Sequence, residues 1–342
     1  MYILYILSYP ILWISLKIGD RIMKFSLLAM KLCHYTALRA SKSNHKIYKL
    51  ASYHLDARIF RYPAVKSMIS QGIDVPASFS AALNLRSAYD KDKILPEWKI
   101  CNKTSGPEFA RLLGLQLPKQ LSINLSFEEI TPVENTVIKP LFGYYSRGVF
   151  IVKSKNEILE LNTGKVFYKW EELTNYAHSL MSKKVVRSNI WKVEQYISDE
   201  NGNPVTDIKF NLFYGTVGWI AEIKRHPEVR YNIMDGVGQT FNSELYAKKQ
   251  LFPGMGTNEN ELDLLKKISL EIPVPFIRID LMRGAGGLFF SEFTAYPGII
   301  GLFDRKREHQ YGKLYHEAET RLYNDLIAGK KFETFKQFTA NA

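Results

Sequence analysis

The chain has 342 residues, 46% hydrophobic and 23% charged, a balance that excludes a disordered or collagen-like protein and leaves room for two or three packed lobes. Its two cysteines, Cys33 and Cys101, are too few for a disulfide framework or a four-cysteine zinc site, which fits a reducing compartment. Lys and Arg exceed Asp and Glu by 46 to 34, and the excess sits at the start, where residues 1–100 hold 15 against 6. Such a segment suits an anionic surface or a solvated face, while no zinc-finger spacing or RNP-like aromatic run points to nucleic acid.

Residues 1–16 carry no charged side chain, yet the run is shorter than the roughly 20 residues a membrane span needs, and it contains Pro10. Beyond it Ile18, Ile22, Phe25, Leu28 and Leu32 recur at three- and four-residue steps beside Lys17, Arg21, Lys24 and Lys31. Residues 1–35 therefore read as basic amphipathic helices with two placements open, on an anionic membrane surface or packed on the protein's own body. Residues 36–100 read as helices broken at Pro63, Gly72 and Pro76. A short helix follows over 105–114, with Pro107 in its first turn and Gly114 at its end.

Residues 136–140 form a β-rich run, a loop holds Gly143, Ser146 and Gly148, and residues 149–152 return as a strand. A helix is expected over 170–181, then a strand over 191–197 closed by an Asn201-Gly202 turn, then strands around Lys209 and Trp219. Residues 262–270 have helical spacing, 276–280 pair with 287–293 across a glycine-rich hairpin, and 313–327 form a polar helix.

In that hairpin Arg278 and Asp280 share one face of their strand, and Glu292 and Thr294 share one face of its partner, because alternate residues point the same way. Two carboxylates beside an arginine suit magnesium, which takes oxygen ligands and keeps contacts for water and phosphate. A surface hairpin with a salt-bridged Arg, Asp and Glu accounts for the same residues without chemistry. Lys139 stands before the glycine loop, where an ammonium and backbone N–H donors can cradle phosphates, although an ordinary hairpin has the same look. Order along the chain favours chemistry. A lysine with a Gly/Ser loop, a Val-Glu strand, a lysine-bearing strand, then Arg-x-Asp and Glu-x-Thr can all meet one magnesium-bound ATP.

The segments NKTSGPEFARLLGLQLPK, VIKPLFGYYSRGVFIV, KVEQYI, VTDIKFNLFYG and PFIRIDLMRGAGGLFFSEFTAYPGIIG resemble the ATP-grasp superfamily. Within it they are similar to the TupA-like amidoligase branch of teichuronopeptide biosynthesis, associated with surface polysaccharides. The resemblance covers residues 102–301 and leaves 1–100 outside. It implies an α+β ATP-grasp fold, two lobes clamping ATP, preceded by the helical regions 1–35 and 36–100. A small lobe with the phosphate loop would occupy 101–190, a large lobe with the magnesium site 191–330, and a tail 331–342.

By the same resemblance Lys103 and Lys139 contact the nucleotide, the loop of Gly143, Ser146 and Gly148 closes over the triphosphate, and Glu194, Gln195, Tyr196 and Ile197 hold adenine and ribose. Lys209 meets phosphate with Asp207 nearby. Arg278, Lys139 and Lys209 take the catalytic roles, and Asp280, Glu292 and Thr294 hold Mg²⁺. The implied ligase joins a carboxylate to an amine through an acyl phosphate, the acid being a uronic acid or surface (capsule) glycan and the amine an amino acid or other amine. A sugar kinase on the same fold and a non-catalytic, membrane-recruited scaffold are the alternatives. The implied location is cytoplasmic, free or at the inner face of the membrane. Thr294 departs from the Asn found at that place in many ATP-grasp ligases, and Tyr144 and Tyr145 stand where smaller residues are common.

Overall fold

The computed structural model describes residues 77–90, 92, 94–143, 146–241, 250–298 and 303–340. The helices expected at 1–35 and over most of 36–100 lie outside the described residues, as do Tyr144 and Tyr145. The described chain falls into two units, residues 77–79 with 306–313, and the remainder. In the first, the Ala77 N–H donates to His309 Nδ1 at 2.8 Å and the Ser78 hydroxyl to Glu308 at 2.7 Å. The second holds both sheets and every residue expected in the site.

The elements in chain order are α1 (Phe79–Tyr89), α2 (Pro96–Ile100), α3 (Gly106–Leu112), β1 (Gln120–Leu125), β2 (Thr136–Pro140), β3 (Phe150–Ser154), β4 (Glu157–Glu160), β5 (Val166–Phe167), α4 (Trp170–Ser182), β6 (Trp191–Gln195), β7 (Asp207–Phe213), β8 (Thr216–Lys224), β9 (Arg230–Asp235), α5 (Glu259–Leu270), β10 (Ile277–Gly284), β11 (Gly287–Thr294), α6 (Arg305–Ile327) and α7 (Glu333–Ala340). The architecture is α+β. Six strands form one antiparallel sheet in the order β1-β6-β2-β3-β4-β5, and five form another in the order β11-β10-β7-β8-β9. Among the described residues, no helix is long and apolar enough to cross a membrane.

Each sheet is built around its own core. On α4, Leu173, Ala177 and Leu180 recur at helical spacing and pack with Ile138, Phe150, Val152 and Trp191 of the six-stranded sheet. The five-stranded sheet packs Phe210, Ile279 and Phe290 with Leu262, Leu265 and Ile268 of α5. That helix starts on a capping box, in which Asn258 accepts from the Glu261 N–H while the Glu261 side chain reaches back.

Pairing and packing place three of the expected segments as follows. β6, expected to open the large lobe at 191, lies between β1 and β2 in the six-stranded sheet, because Thr136 pairs with Gln195 and Pro140 with Trp191. Helix α3, expected in the small lobe, joins the five-stranded sheet: the Phe109 ring centroid is 5.8 Å from that of Phe293 and 4.9 Å from that of Phe338. Residues 333–340, expected as tail, form α7, which buries Phe338. The chain crosses between sheets just after α3, where Gln116 O accepts from the Phe290 N–H at 2.7 Å and Lys119 O from the Gln195 N–H at 2.8 Å. Strands β1, β4, β5 and β9 are additions to the expected set.

Phe109 is fully buried and ties α3 and α7 to β11. Phe109→Ala should cost about 3–5 kcal/mol, read as a lower urea midpoint at unchanged slope.

Candidate active site

On the six-stranded sheet, Lys139 of β2 lies opposite Lys192 of β6, and Val137 opposite Glu194. The two-residue period puts Trp191 and Val193 in the core and turns Lys192 and Glu194 to the other face. Glu194, only 7% exposed, is ion-paired to Lys139 and, at 2.8 Å, to Lys192. Burial pushes its carboxyl up, but the two ammoniums together hold it below the ordinary value. Burial, and then the charge of Lys139, lower the pKa of Lys192. Lys192 is outside the expected site, although the Lys-x-Glu alternation in KVEQ carries its signal.

The loop after β2 turns through Ser146 at φ 57° and Gly148 at φ 72°, left-handed backbone that favours glycine at the second position. A Cβ on Gly148 would also lie 2.9 Å from Val186 Cγ2. Gly143 is different: a Cβ there would meet Pro140 at 3.5 Å, ordinary contact. What Gly143 supplies is its carbonyl, which accepts a hydrogen bond from the Lys103 ammonium.

On the five-stranded sheet, Asp280 of β10 lies opposite Lys209 of β7 on one side and Glu292 of β11 on the other, with Arg278 opposite Thr294. Asp280 is 2% exposed. Arg278 Nε donates to its Oδ1 at 2.6 Å and Nη2 to its Oδ2 at 2.8 Å, and the Lys209 ammonium donates to Oδ2 as well. Burial pushes this carboxyl up, and Lys209 and Arg278 bring it below the ordinary value. Arg278 Nη2 also donates to Thr294 Oγ1 at 3.0 Å and stands 3.9 Å from Glu292, whose side chain is 42% exposed. Asp207, two residues before Lys209, pairs with Arg225, a residue outside the expected set.

Lys103 connects the two halves. Burial lowers its pKa, Glu292 raises it and Lys139 lowers it again, so one ammonium lies within electrostatic reach of a carboxylate on β11 and a lysine on β2. The exit of β6 also touches both sheets. The Tyr196 N–H donates to Asn135 O at 2.9 Å and its hydroxyl to Gly202 O at 3.2 Å, while Gln195 Oε1 accepts from the Lys119 N–H at 3.2 Å. Ile197 packs so tightly on Gly284 that a Cβ there would lie 2.4 Å from its Cγ2.

Among the described residues, no group of three His, Cys, Asp or Glu is arranged to hold a metal ion. Asp280, Glu292 and Thr294 nevertheless supply the oxygen donors magnesium takes when phosphate and water complete its shell. Glu292 is open to solvent on one side, whereas both Asp280 oxygens already accept from Arg278 or Lys209.

A family model described as TupA-like ATPgrasp matches residues 81–316, the span that contains both sheets. No curated protein matches the chain. Among solved structures it is similar to D-alanine–D-alanine ligase from Bacillus anthracis complexed with ATP, at 16% identity over 76% of this chain and 75% of that one, with a TM-score of 0.38. It is similar to the D-cycloserine synthetase DcsG at 14% identity over 66% and 71%, TM-score 0.36. It is also similar to the ATP-grasp ligase PsnB complexed with precursor peptide PsnA2 and AMPPNP, at 11% identity over 64% and 58%, TM-score 0.35.

The depressed carboxyls of Glu194 and Asp280 stabilise the fold fully above their ordinary values of 4.5 and 3.8, and that contribution is lost as the pH falls through their folded values. The unfolding midpoint should therefore drop in acid, below pH 4.5. Asp280→Asn should begin about 3–5 kcal/mol less stable at neutral pH, with two cations left unmatched, and show a shallower acid slope. Urea titrations across pH 3–7 (about one unit apart) read both effects.

Proposed function

The chain belongs to the TupA-like ATP-grasp family, and from that premise we propose that it is an ATP-dependent ligase joining a carboxylate to an amine. The observation that supports this reading most is the hydrogen bond from Lys103, just before α3, to the Gly143 carbonyl in the loop after β2, with Lys139 and Glu292 both within electrostatic reach of that ammonium. It favours one polyanion, such as a triphosphate, drawing on side chains from both sheets.

In this reading Lys103, Lys139 and Lys209 neutralise the phosphates, the backbone of Gly143, Ser146 and Gly148 lies along them, and Arg278 meets the charge that develops on the transferring phosphoryl group. The stretch of Glu194, Gln195, Tyr196 and Ile197 holds adenine and ribose, and Asp207, two residues before Lys209, holds Arg225. Asp280, Glu292 and Thr294 would hold Mg²⁺, Asp280 once Lys209 has moved from it to phosphate. Bound there, magnesium would neutralise charge on the phosphate oxygens.

A carboxylate oxygen of the acid attacks the γ-phosphorus and ADP leaves, giving an acyl phosphate. The amine then attacks the carbonyl carbon, loses a proton and expels inorganic phosphate. By family resemblance the acid is a uronic acid or a surface-glycan carboxylate, and the amine an amino acid or another amine. Contact of residues 1–35 with the inner membrane surface rests on their sequence pattern alone.

Purified protein given Mg²⁺ and ATP should release ADP and phosphate only when acid and amine are both present, across a panel of uronic acids and amino acids. Lys139→Ala and Glu292→Ala should each lower that rate by at least about 100-fold. Phosphate retained on the product would instead identify a sugar kinase, and no ATP turnover with any pair would favour a scaffold.

A further inference from the structure

Glu194 and Asp280 share an arrangement that simple phosphate binding does not require. Each is a buried carboxylate held by two cations at once, Glu194 by Lys139 and Lys192, Asp280 by Lys209 and Arg278. A buried carboxylate stripped of its only partner is strongly destabilising, because the charge is left uncompensated where water cannot reach it. A lysine that is the sole partner of such a group is therefore not free to move to a ligand.

We infer that Lys192 is a positioning residue that keeps Glu194 neutralised when Lys139 leaves it for the nucleotide phosphates, an inference that rests on the ATP-dependent reading above. Lys139 is the cation placed to move. It lies near the end of β2, next to the loop of Gly143 and Gly148, and its side chain is 22% exposed. Lys192 is placed to stay. It lies within β6, two residues from Glu194 on the same face, bonds it at 2.8 Å and has a side chain 16% exposed. The mutual repulsion of the two ammoniums, recorded in the lowered pKa of Lys192 alongside its burial, eases as Lys139 withdraws.

The test measures affinity for a non-hydrolysable ATP analogue with Mg²⁺ by calorimetry on the full chain. Lys192→Met should weaken binding about 10-fold or more, since Lys139 is then held on Glu194, whereas Lys192→Arg should bind within about 3-fold of the wild type. In a Glu194→Gln background, where no buried charge needs a partner, adding Lys192→Met should change affinity by less than about 3-fold. Should Lys192→Met not fold, Lys192→Gln carries the same comparison. Equal losses in the wild-type and Glu194→Gln backgrounds would make Lys192 a direct phosphate ligand and overturn the inference, as would wild-type affinity in Lys192→Met. Absence of nucleotide binding by the wild type would overturn the ligase reading itself and this inference with it.

Discussion

A carboxylate taken out of water has to be compensated where it stands; Glu160 and Glu222 are met by hydrogen bonds, whereas two others are met by cations and organise the two sheets. Glu194 and Asp280 each lie on a central strand, β6 and β10, flanked on both sides by others. Centrality is what buries them, and at these two positions cations compensate the burial. The strand geometry then decides where those cations come from: from two residues along the same strand, as Lys192 and Arg278 do, and from the neighbouring strand, as Lys139 and Lys209 do. The result is a cluster of positive groups concentrated at two fixed points instead of being scattered over a surface.

The parts of this arrangement that follow from local pattern could be read from the sequence. Arg278-x-Asp280 and Glu292-x-Thr294 needed only the alternation of a strand and a glycine-rich turn to become a facing set, and the register confirms it. Helices with strong signals, Pro107 and Gly114 around α3 or the spaced leucines of α5, also lie where the pattern puts them. What failed to show was anything fixed by partners distant in sequence. β5 has two residues and β4 four, too few for a periodic signal, and β1 alternates poorly between exposed and half-buried positions. These strands exist because a neighbour supplies hydrogen bonds. The same cause hides the sheet to which β6 belongs: in sequence β6 looks contiguous with β7, but its pairing partners on β2, Thr136 and Pro140, come far earlier in the chain.

Lys103 illustrates the limit from the other side. Its assignment came from a motif, and nothing in the residues around it says that its ammonium reaches a loop carbonyl 40 residues on. That reach depends on α3 being docked to β11 through Phe109, so a hydrophobic contact on one sheet sets the position of a charge facing the other. Gly143 is the complementary case, a loop glycine where a Cβ would meet only ordinary contact and whose carbonyl accepts from Lys103.

The alternation along β6 limits where this chain can change length. Trp191 and Val193 fill the core while Lys192 and Glu194 lie on the opposite face, so a single residue inserted into or deleted from the strand would exchange the two sets, driving charges into the apolar layer and an indole out of it. An added residue is better absorbed at the turn around Asn201 and Gly202, whose residues are exposed, than within β6. Five residues of one strand act as a ruler that sets which face carries charge and which carries the apolar layer.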